Sequence, residues 1–442
     1  MENLMWSRYN FLLEIPEQGK VLYNSYSNSL ISLDESLYKE LKKLENEGTV
    51  TPGHLKNFTE EEMDFFRESC ILVKDDEELI ELMQHESMSR LYTRKHLVLT
   101  IAPTQTCNFA CTYCYENWRK SGSMDDQTEE AIIRYLERQK EEHALESVSL
   151  NWYGGEPLLV AGRIESLGKK INATGLRLDE NEIITNGYFF TEKNIRMLAE
   201  IGVTSVQITL DGLKETHDQR RPLVNGKGTF STILENLDRY FSGDYRDHFF
   251  IALRVNVDKR NQDDFLRIYK WLKERYHSDR LLIYPGWVHL DGNTNQKSLC
   301  FSRNEITDFC LDLNKRYHIV LQNMLPEDIN MECLARSPYS MLIGWQGEIY
   351  KCFEELGDQK FIVGNIKDEQ VWTNHKLIAK YAVGIDHYQD TECRKCRYLP
   401  ICHGGCPKRR FENKYKGYTN DCCTPFKKRM EDFIGLYLML QS

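Results

Sequence analysis

Residues 96–114 read HLVLTIAPTQTCNFACTYC, an apolar run of the kind that forms a buried strand followed by a loop with three cysteines in eight positions. Three thiolates this close can grip one face of an iron–sulfur cube, whereas a structural zinc or a fully ligated [4Fe–4S] cluster wants a fourth ligand. No fourth cysteine is near Cys107, Cys111 and Cys114. An iron without a protein ligand is open to a small molecule, as a catalytic zinc keeps one position free.

Outward from this stretch, apolar strands alternate with amphipathic helices. Strands are predicted at HLVLTIA (from His96), SVSLNWY (from Ser147), EIITN (from Glu182), SVQITL (from Ser205), FFIALRVNV (from Phe249) and LLIY (from Leu281). Helices are predicted near 127–143, 191–200, 230–241, 262–276 and 304–317. Repeated β-α units build a parallel sheet, and six of them point to a partial (β/α)6 TIM-type barrel over residues 96–325. The unusual residues follow the strands: the Cys107 group after the first, Gly154-Gly155-Glu156-Pro157 after the second, Thr185-Asn186-Gly187 after the third, Asp211-Gly212 after the fourth. Strand C-terminal ends form the ligand face of such folds, so one pocket can collect all four.

Two flanking regions differ in character. Residues 1–95 read as a small α+β unit, with strand-like GKVLYNS and SLISL joined by YSN and helices near 34–46 and 59–71. It is either a packing cap or a peptide-docking module whose hairpin edge accepts an extended ligand. Residues 326–442 hold eight of the fourteen cysteines: Cys333, Cys352, Cys393-x2-Cys396-x5-Cys402-x3-Cys406 and Cys422-Cys423. Cys70, Cys300 and Cys310 stand alone and read as small buried hydrophobes.

Composition narrows the class. In 442 residues, 57 Lys and Arg face 67 Asp and Glu, a net charge of −10, which argues against a general nucleic-acid binder. With 41% hydrophobic residues the chain is not of disordered composition. It shows no secretory signal and no run of about 18 uncharged apolar residues, so a cytoplasmic protein without a membrane partner is expected. In a reducing compartment its cysteines are metal ligands or reactive thiols rather than disulfides.

The pattern C-x-x-x-C-x-aromatic-C, met by Cys107, Cys111, Tyr113 and Cys114, resembles the radical S-adenosylmethionine (radical SAM) superfamily, and Gly154-Gly155-Glu156-Pro157 is similar to its GGEP segment. The resemblance implies that the amino and carboxylate groups of S-adenosylmethionine chelate the open iron. One electron, from a flavodoxin- or ferredoxin-type reductant, then releases a 5′-deoxyadenosyl radical. It further implies that Tyr113 sits against adenine, that Gly154, Gly155, Glu156 and Pro157 lie along the methionyl amino group, and that Thr185, Asn186, Gln207 and Asp211 contact ribose or carboxylate. Arg254 and Asn256 would reach the methionyl carboxylate or the substrate, or else pack inside the barrel. Read alone, Gly-Gly before Pro is a turn, and Tyr113 a packing residue.

The later cysteines resemble a SPASM domain, which in radical SAM enzymes usually carries two auxiliary [4Fe–4S] clusters, giving three in all. Read alone, CRKC and CHGGC could bind zinc. The resemblance assigns Cys393, Cys396 and Cys402 to the outer cluster, with Cys423 favoured over Cys422 as fourth ligand, and Cys333, Cys352 and Cys406 to the inner one. With three ligands, the inner cluster could hold a substrate thiolate, unless Cys300, Cys310 or Cys422 closes it. Enzymes of this kind modify peptides or proteins. Anaerobic sulfatase-maturating enzymes place an acid directly after the second SPASM cysteine, but here Phe353 follows Cys352. The expectation is therefore a maturase that crosslinks a ribosomally made precursor peptide, with a leader and a cysteine-rich core, through a thioether or carbon–carbon bond. The alternatives are maturation of a sulfatase or quinoprotein subunit and a non-catalytic iron–sulfur or zinc electron carrier. A pure carrier needs neither open iron, GGEP nor barrel.

Overall fold

A computed structural model describes residues 4–114, 121–288, 299–321 and 333–441. The chain divides into two compact units: residues 1–92, 302–336 and 381–442 form one, residues 93–301 and 337–380 the other.

The first unit contains β1 (Leu4–Trp6), β2 (Asn10–Ile15), β3 (Gly19–Asn24), β4 (Ser29–Leu33), β5 (Thr49–Val50) and β6 (Leu72–Val73). Strands β2, β3 and β4 make an antiparallel meander, and β1 lies between β5 and β6 in a second small sheet. The predicted hairpin is β3–β4, and β2 adds a third strand on its other side. Strand β2 is hard to read because both its faces are buried. Leu12 packs with Trp6, Leu41, Leu44 and Phe66, while Phe11 and Ile15 pack with Ile401, Phe426 and Phe433. Its apolar residues therefore run together instead of alternating. The helix Asp76–Leu91 was also not anticipated. Its Leu79, Ile80 and Met83 are buried but Leu82 and Met88 are exposed, so no single apolar stripe marks it.

In the second unit, β7 (His96–Ile101), β8 (Ser147–Trp152), β9 (Arg177–Thr185), β10 (Ser205–Thr209), β11 (Phe250–Val257) and β12 (Leu281–Trp287) run parallel, each beside its sequence neighbour. The α/β expectation holds. Three strands extend the sheet beyond β7: β13 (Met341–Ile343) pairs parallel to it, and β14 (Glu348–Tyr350) and β15 (Gly364–Asn365) follow antiparallel, giving nine strands in an open order. Strand β12 continues through Pro285, where the sequence reading stopped at Tyr284. As an edge strand it tolerates a residue without an N–H. A helix over Ala161–Ala173 was missed because Gly162 and Gly168 dilute its pattern. Gly168 is needed, since a Cβ there would lie 3.0 Å from the Ile201 side chain.

Alternation along the strands decides what faces the interior. In β11, Ile251, Leu253, Val255 and Val257 are fully buried, which turns Arg254 and Asn256 to the opposite face. Gln207 of β10 stands likewise between buried Val206 and Ile208.

All fourteen cysteines are free thiols. Of the three solitary ones, Cys310 is buried, its thiol pushed up to about 12 by that burial, while Cys70 and Cys300 are half-buried. Among the described residues no helix is long and apolar enough to cross a membrane.

Candidate active site

The loop carrying Cys107, Cys111 and Cys114 is held on two sides by backbone. On one side, Gly155 N–H donates to Thr104 O (3.1 Å) and Glu156 N–H to Thr106 O (2.9 Å). Both glycines are required by this approach. A Cβ at Gly154 would lie 2.2 Å from Thr104 O, and one at Gly155 would lie 2.4 Å from Thr106 O. Gly154 also has φ +117°, outside the range of most side-chain-bearing residues. On the other side, Ala110 N–H donates to Pro222 O (2.8 Å) and Thr112 N–H to Arg220 O (3.0 Å). Phe109 N–H points at Cys107 Sγ (3.4 Å) and Asn186 Nδ2 lies 4.0 Å from it, so donors face this sulfur as a thiolate requires.

Glu156 lies just past the C-terminal end of β8 and is fully buried. Its carboxylate accepts from Thr185 Oγ1 (2.7 Å), Asn186 N–H (2.7 Å) and Leu158 N–H (3.0 Å). Burial pushes its pKa up to about 7 while the three donors oppose the rise. Glu156 and Thr185 thus fix the loop that carries Asn186, and Asn186 reaches the cysteine loop directly, donating from Nδ2 to Asn108 Oδ1 (2.8 Å).

A polar cluster continues along the strands. The Tyr113 hydroxyl accepts from Arg221 Nη1 (2.8 Å) and Asn256 Nδ2 (3.0 Å), and burial raises its pKa well above the usual phenol value. Arg220 lies over the Tyr113 ring at 4.9 Å and donates to Asp211 (3.0 Å) and Asp258 (2.9 Å). Asp211 is therefore engaged by Arg220 through Oδ2, and among the described residues no donor meets its buried Oδ1 in hydrogen-bond geometry. Arg254 Nε donates to Asn256 Oδ1 (2.9 Å), and Tyr284 OH to Gln207 Oε1 (2.6 Å). The structure gathers Tyr113, Asp211, Arg254 and Asn256 through these contacts. It ties Gln207 only to Tyr284, and it seats Pro157 in the short 3-10 turn after Glu156.

Sequence reasoning missed Arg220, Arg221, His217 and Gly286. The run His217-Asp-Gln-Arg-Arg221 is separated from Gly212 by four residues and carries no sequence signal of its own, since adjacent arginines ordinarily mark solvent, yet both are buried. His217, fully buried and held neutral by burial and by both arginines, accepts Asp211 N–H (3.2 Å). Gly286 clears space for Arg254, whose Nε a Cβ there would meet at 2.1 Å.

Cys393, Cys396, Cys402, Cys422 and Cys423 line one cavity of about 670 Å³, within the first unit. Arg410 Nη1 lies 3.4 Å from Cys393 Sγ and Lys427 Nζ 3.2 Å from Cys423 Sγ. By contrast, Cys422 Sγ donates to Asn420 O (3.6 Å) and accepts from Asn413 Nδ2 (3.5 Å), while burial pushes Cys422 and Cys402 alike up to about 11. Cys333 and Cys406 also belong to this unit, and Cys352 to the other. The ring of Phe353 packs edge-on against Tyr153 at 4.8 Å.

Residues 101–287 match the Radical SAM superfamily, and residues 333–397 match SPASM, an iron–sulfur cluster-binding domain. The chain carries a radical SAM domain and a SPASM domain. It is a radical SAM enzyme, and its two domains imply [4Fe–4S] clusters and S-adenosylmethionine. The radical SAM match contains Cys107, Cys111, Cys114 and every strand-end residue above; the SPASM match contains Cys333, Cys352, Cys393 and Cys396. Among curated proteins the chain is similar to the cysteine-type anaerobic sulfatase-maturating enzyme of Clostridium novyi (strain NT), 26% identical over 77% of this chain and 96% of that one. It is also similar to the serine-type enzyme of Bacteroides thetaiotaomicron, 23% identical over 73% and 85%. Among solved structures, anSMEcpe with bound AdoMet and the Cp18Cys peptide shares the fold at TM-score 0.58 and 22% identity, over 78% of this chain and 98% of that one. Streptococcus suis SuiB bound to precursor peptide SuiA shares it at TM-score 0.52 and 16% identity, over 95% and 99%.

The donor set around the cysteine loop fits the implied group. Among the described residues Asn108 Nδ2, Asp211 Oδ1 and Arg221 Nε are buried polar atoms without hydrogen-bond partners, which suits a ligand with its own donors and acceptors. Among the described residues no three His, Cys, Asp or Glu side chains already converge as metal ligands do.

Proposed function

We propose that this radical SAM enzyme modifies a ribosomally made, cysteine-bearing precursor peptide in the cytoplasm, forming a thioether or carbon–carbon crosslink. When bound, the loop cluster and S-adenosylmethionine supply a 5′-deoxyadenosyl radical that takes a substrate hydrogen. The chain's own part is positional: Cys107, Cys111 and Cys114 hold the cluster, Glu156 and Thr185 fix the Asn186 turn, and Tyr113, Arg221, Asn256 and Arg254 line the ligand side. Cys393, Cys396, Cys402 and Cys423 are assigned to an auxiliary cluster, with Arg410 against the Cys393 sulfur and Lys427 against that of Cys423. Three clusters, about twelve irons, are expected in protein prepared without air.

The observation that carries the peptide reading is Phe353. In sulfatase-maturating enzymes an acid stands at that position, while here an aromatic ring is committed to packing on Tyr153. The likeness to SuiB supports it further: 95% coverage leaves too little of the chain uncovered to omit the strands of residues 4–92. Those residues provide the meander β2–β4, whose β4 edge we assign to the leader peptide, where backbone hydrogen bonds give affinity with loose sequence demands. The second reading, maturation of a sulfatase, is favoured by the curated relatives.

Incubation of the reduced enzyme with a synthetic cysteine-bearing precursor peptide carrying a leader, and separately with a sulfatase peptide, decides between them. Our reading expects a precursor lighter by two hydrogens per crosslink and an unchanged sulfatase peptide. Conversion of the sulfatase peptide alone would overturn it.

A further inference from the structure

One buried side chain in the cysteine-rich unit carries a donor that meets nothing. His387 is 1% exposed, and its Nδ1 lies 3.2 Å from Arg336 Nη1. Arginine has donors only, so Nδ1 accepts and the ring proton sits on Nε2. Among the described residues Nε2 has no hydrogen-bond partner. Burial and the Arg336 charge hold the imidazole neutral, at a pKa of about 2, so protonation does not alter this arrangement. Buried N–H groups nearly always find an acceptor, and an exception points to a functional role, a water or a bound group.

The surroundings limit what that group is. Gly404, inside the loop from Cys402 to Cys406, covers the ring, and a Cβ at 404 would lie 2.4 Å from His387 Cβ and 2.9 Å from Nδ1. Arg336 N–H donates to the Cys333 carbonyl (2.9 Å), and its guanidinium holds Asp386 (3.0 Å). The Tyr388 ring lies 4.2 Å away. The segment bearing Cys333, through Arg336, and the Cys402–Cys406 loop therefore flank the imidazole, both within one unit. The electron-rich acceptor common to such segments is sulfur, as bridging sulfide or ligated thiolate.

We propose that His387 donates an Nε2–H···S hydrogen bond to an auxiliary iron–sulfur cluster and thereby raises that cluster's reduction potential. The sign follows from charge: a hydrogen bond to sulfur favours the reduced, more negative cluster. The inference rests on the reading that these cysteines ligate clusters.

The test is a redox titration, followed by electron paramagnetic resonance, of the full-length reconstituted protein. His387→Phe shifts one auxiliary cluster to a more negative potential at unchanged iron content, and His387→Gln, which keeps an N–H donor, recovers part of the shift. Unchanged potentials at full iron overturn the proposal. If the Phe variant loses iron, pulsed resonance on the unaltered enzyme with ¹⁵N-labelled histidine decides. A histidine nitrogen coupled to a reduced auxiliary cluster supports the bond; no coupling, with an ordered water as acceptor instead, overturns it. Absence of auxiliary cluster signals in the unaltered enzyme would instead strike the underlying ligand reading, so the two failures differ.

Discussion

The two cysteine regions are built on opposite principles. The Cys107–Cys114 loop is positioned by backbone, with the Gly154-Gly155 chain on one side and the Arg220–Pro222 chain on the other, and buried polar atoms around it have no partner among the described residues. The Cys393–Cys423 cavity is positioned by side chains: Arg410 and Lys427 lie against its sulfurs, and Asp390 accepts from Cys393 N–H (3.1 Å) and holds Arg410 (3.0 Å). The first arrangement sets three cysteines in a loop braced by main-chain hydrogen bonds. The second lines one cavity with five cysteines and sets a cation against two of their sulfurs.

The largest effects separate these roles. Replacing Cys107, Cys111 and Cys114 together by Ala is expected to abolish cleavage of S-adenosylmethionine and remove about a third of the iron. Cys423→Ser is expected to remove a similar share of iron while retaining basal cleavage, and Cys422→Ser to keep all of it. Iron analysis beside 5′-deoxyadenosine assays reads both, and equal loss from both serine variants would break the assignment of Cys423. Next is Gly155→Ala, whose methyl would press on the Thr106 and Gln105 carbonyls at 2.4 and 2.5 Å. We expect destabilisation of about 3 kcal/mol and loss of the loop cluster, with auxiliary cluster signals retained. Melting curves and resonance spectra check it.

Glu156 gives a signed pH effect. Its pKa rises from an ordinary 4.5 to about 7 on folding. The stability it contributes is complete below about pH 4.5 and is lost as pH rises through 7, a span of about 3 kcal/mol. Glu156→Gln removes this slope and turns an amide donor toward Asn186 N–H, costing roughly 1–3 kcal/mol at every pH. Melting temperatures between pH 5 and 8 measure both, and parallel pH profiles for the two proteins would refute the shift. The smallest effect is Tyr113→Phe, which removes the acceptor shared by Arg221 and Asn256 at a cost of about 1 kcal/mol, read as several-fold weaker binding of S-adenosylmethionine at full iron content.

Much of this was legible from sequence because the decisive residues lie close together in the chain. Cys107, Cys111 and Cys114 fall in one loop, and each strand end carries its own turn signal. What escaped was set by distant partners. Gly286 matters only because β12 lies beside Arg254 of β11, and Gly168 only because Ile201 packs on its helix. Sequence reading took Gly154 and Gly155 as room for a ligand; the structure shows that the neighbour they admit is the cysteine loop's own backbone. Arg220 and Arg221 escaped because an adjacent arginine pair ordinarily marks solvent, and only Asp211, Asp258 and Tyr113 make its burial tolerable.

The central claim is that the Cys107 loop keeps one iron open for S-adenosylmethionine. Pulsed electron–nuclear double resonance on the reduced enzyme, with S-adenosylmethionine labelled by ¹⁷O in its carboxylate and ¹⁵N in its amino group, tests it most directly. Couplings from both labels to the loop cluster are predicted, and their disappearance in the Cys107, Cys111 and Cys114 triple variant. An intact loop-cluster signal showing neither coupling at saturating S-adenosylmethionine would contradict the account.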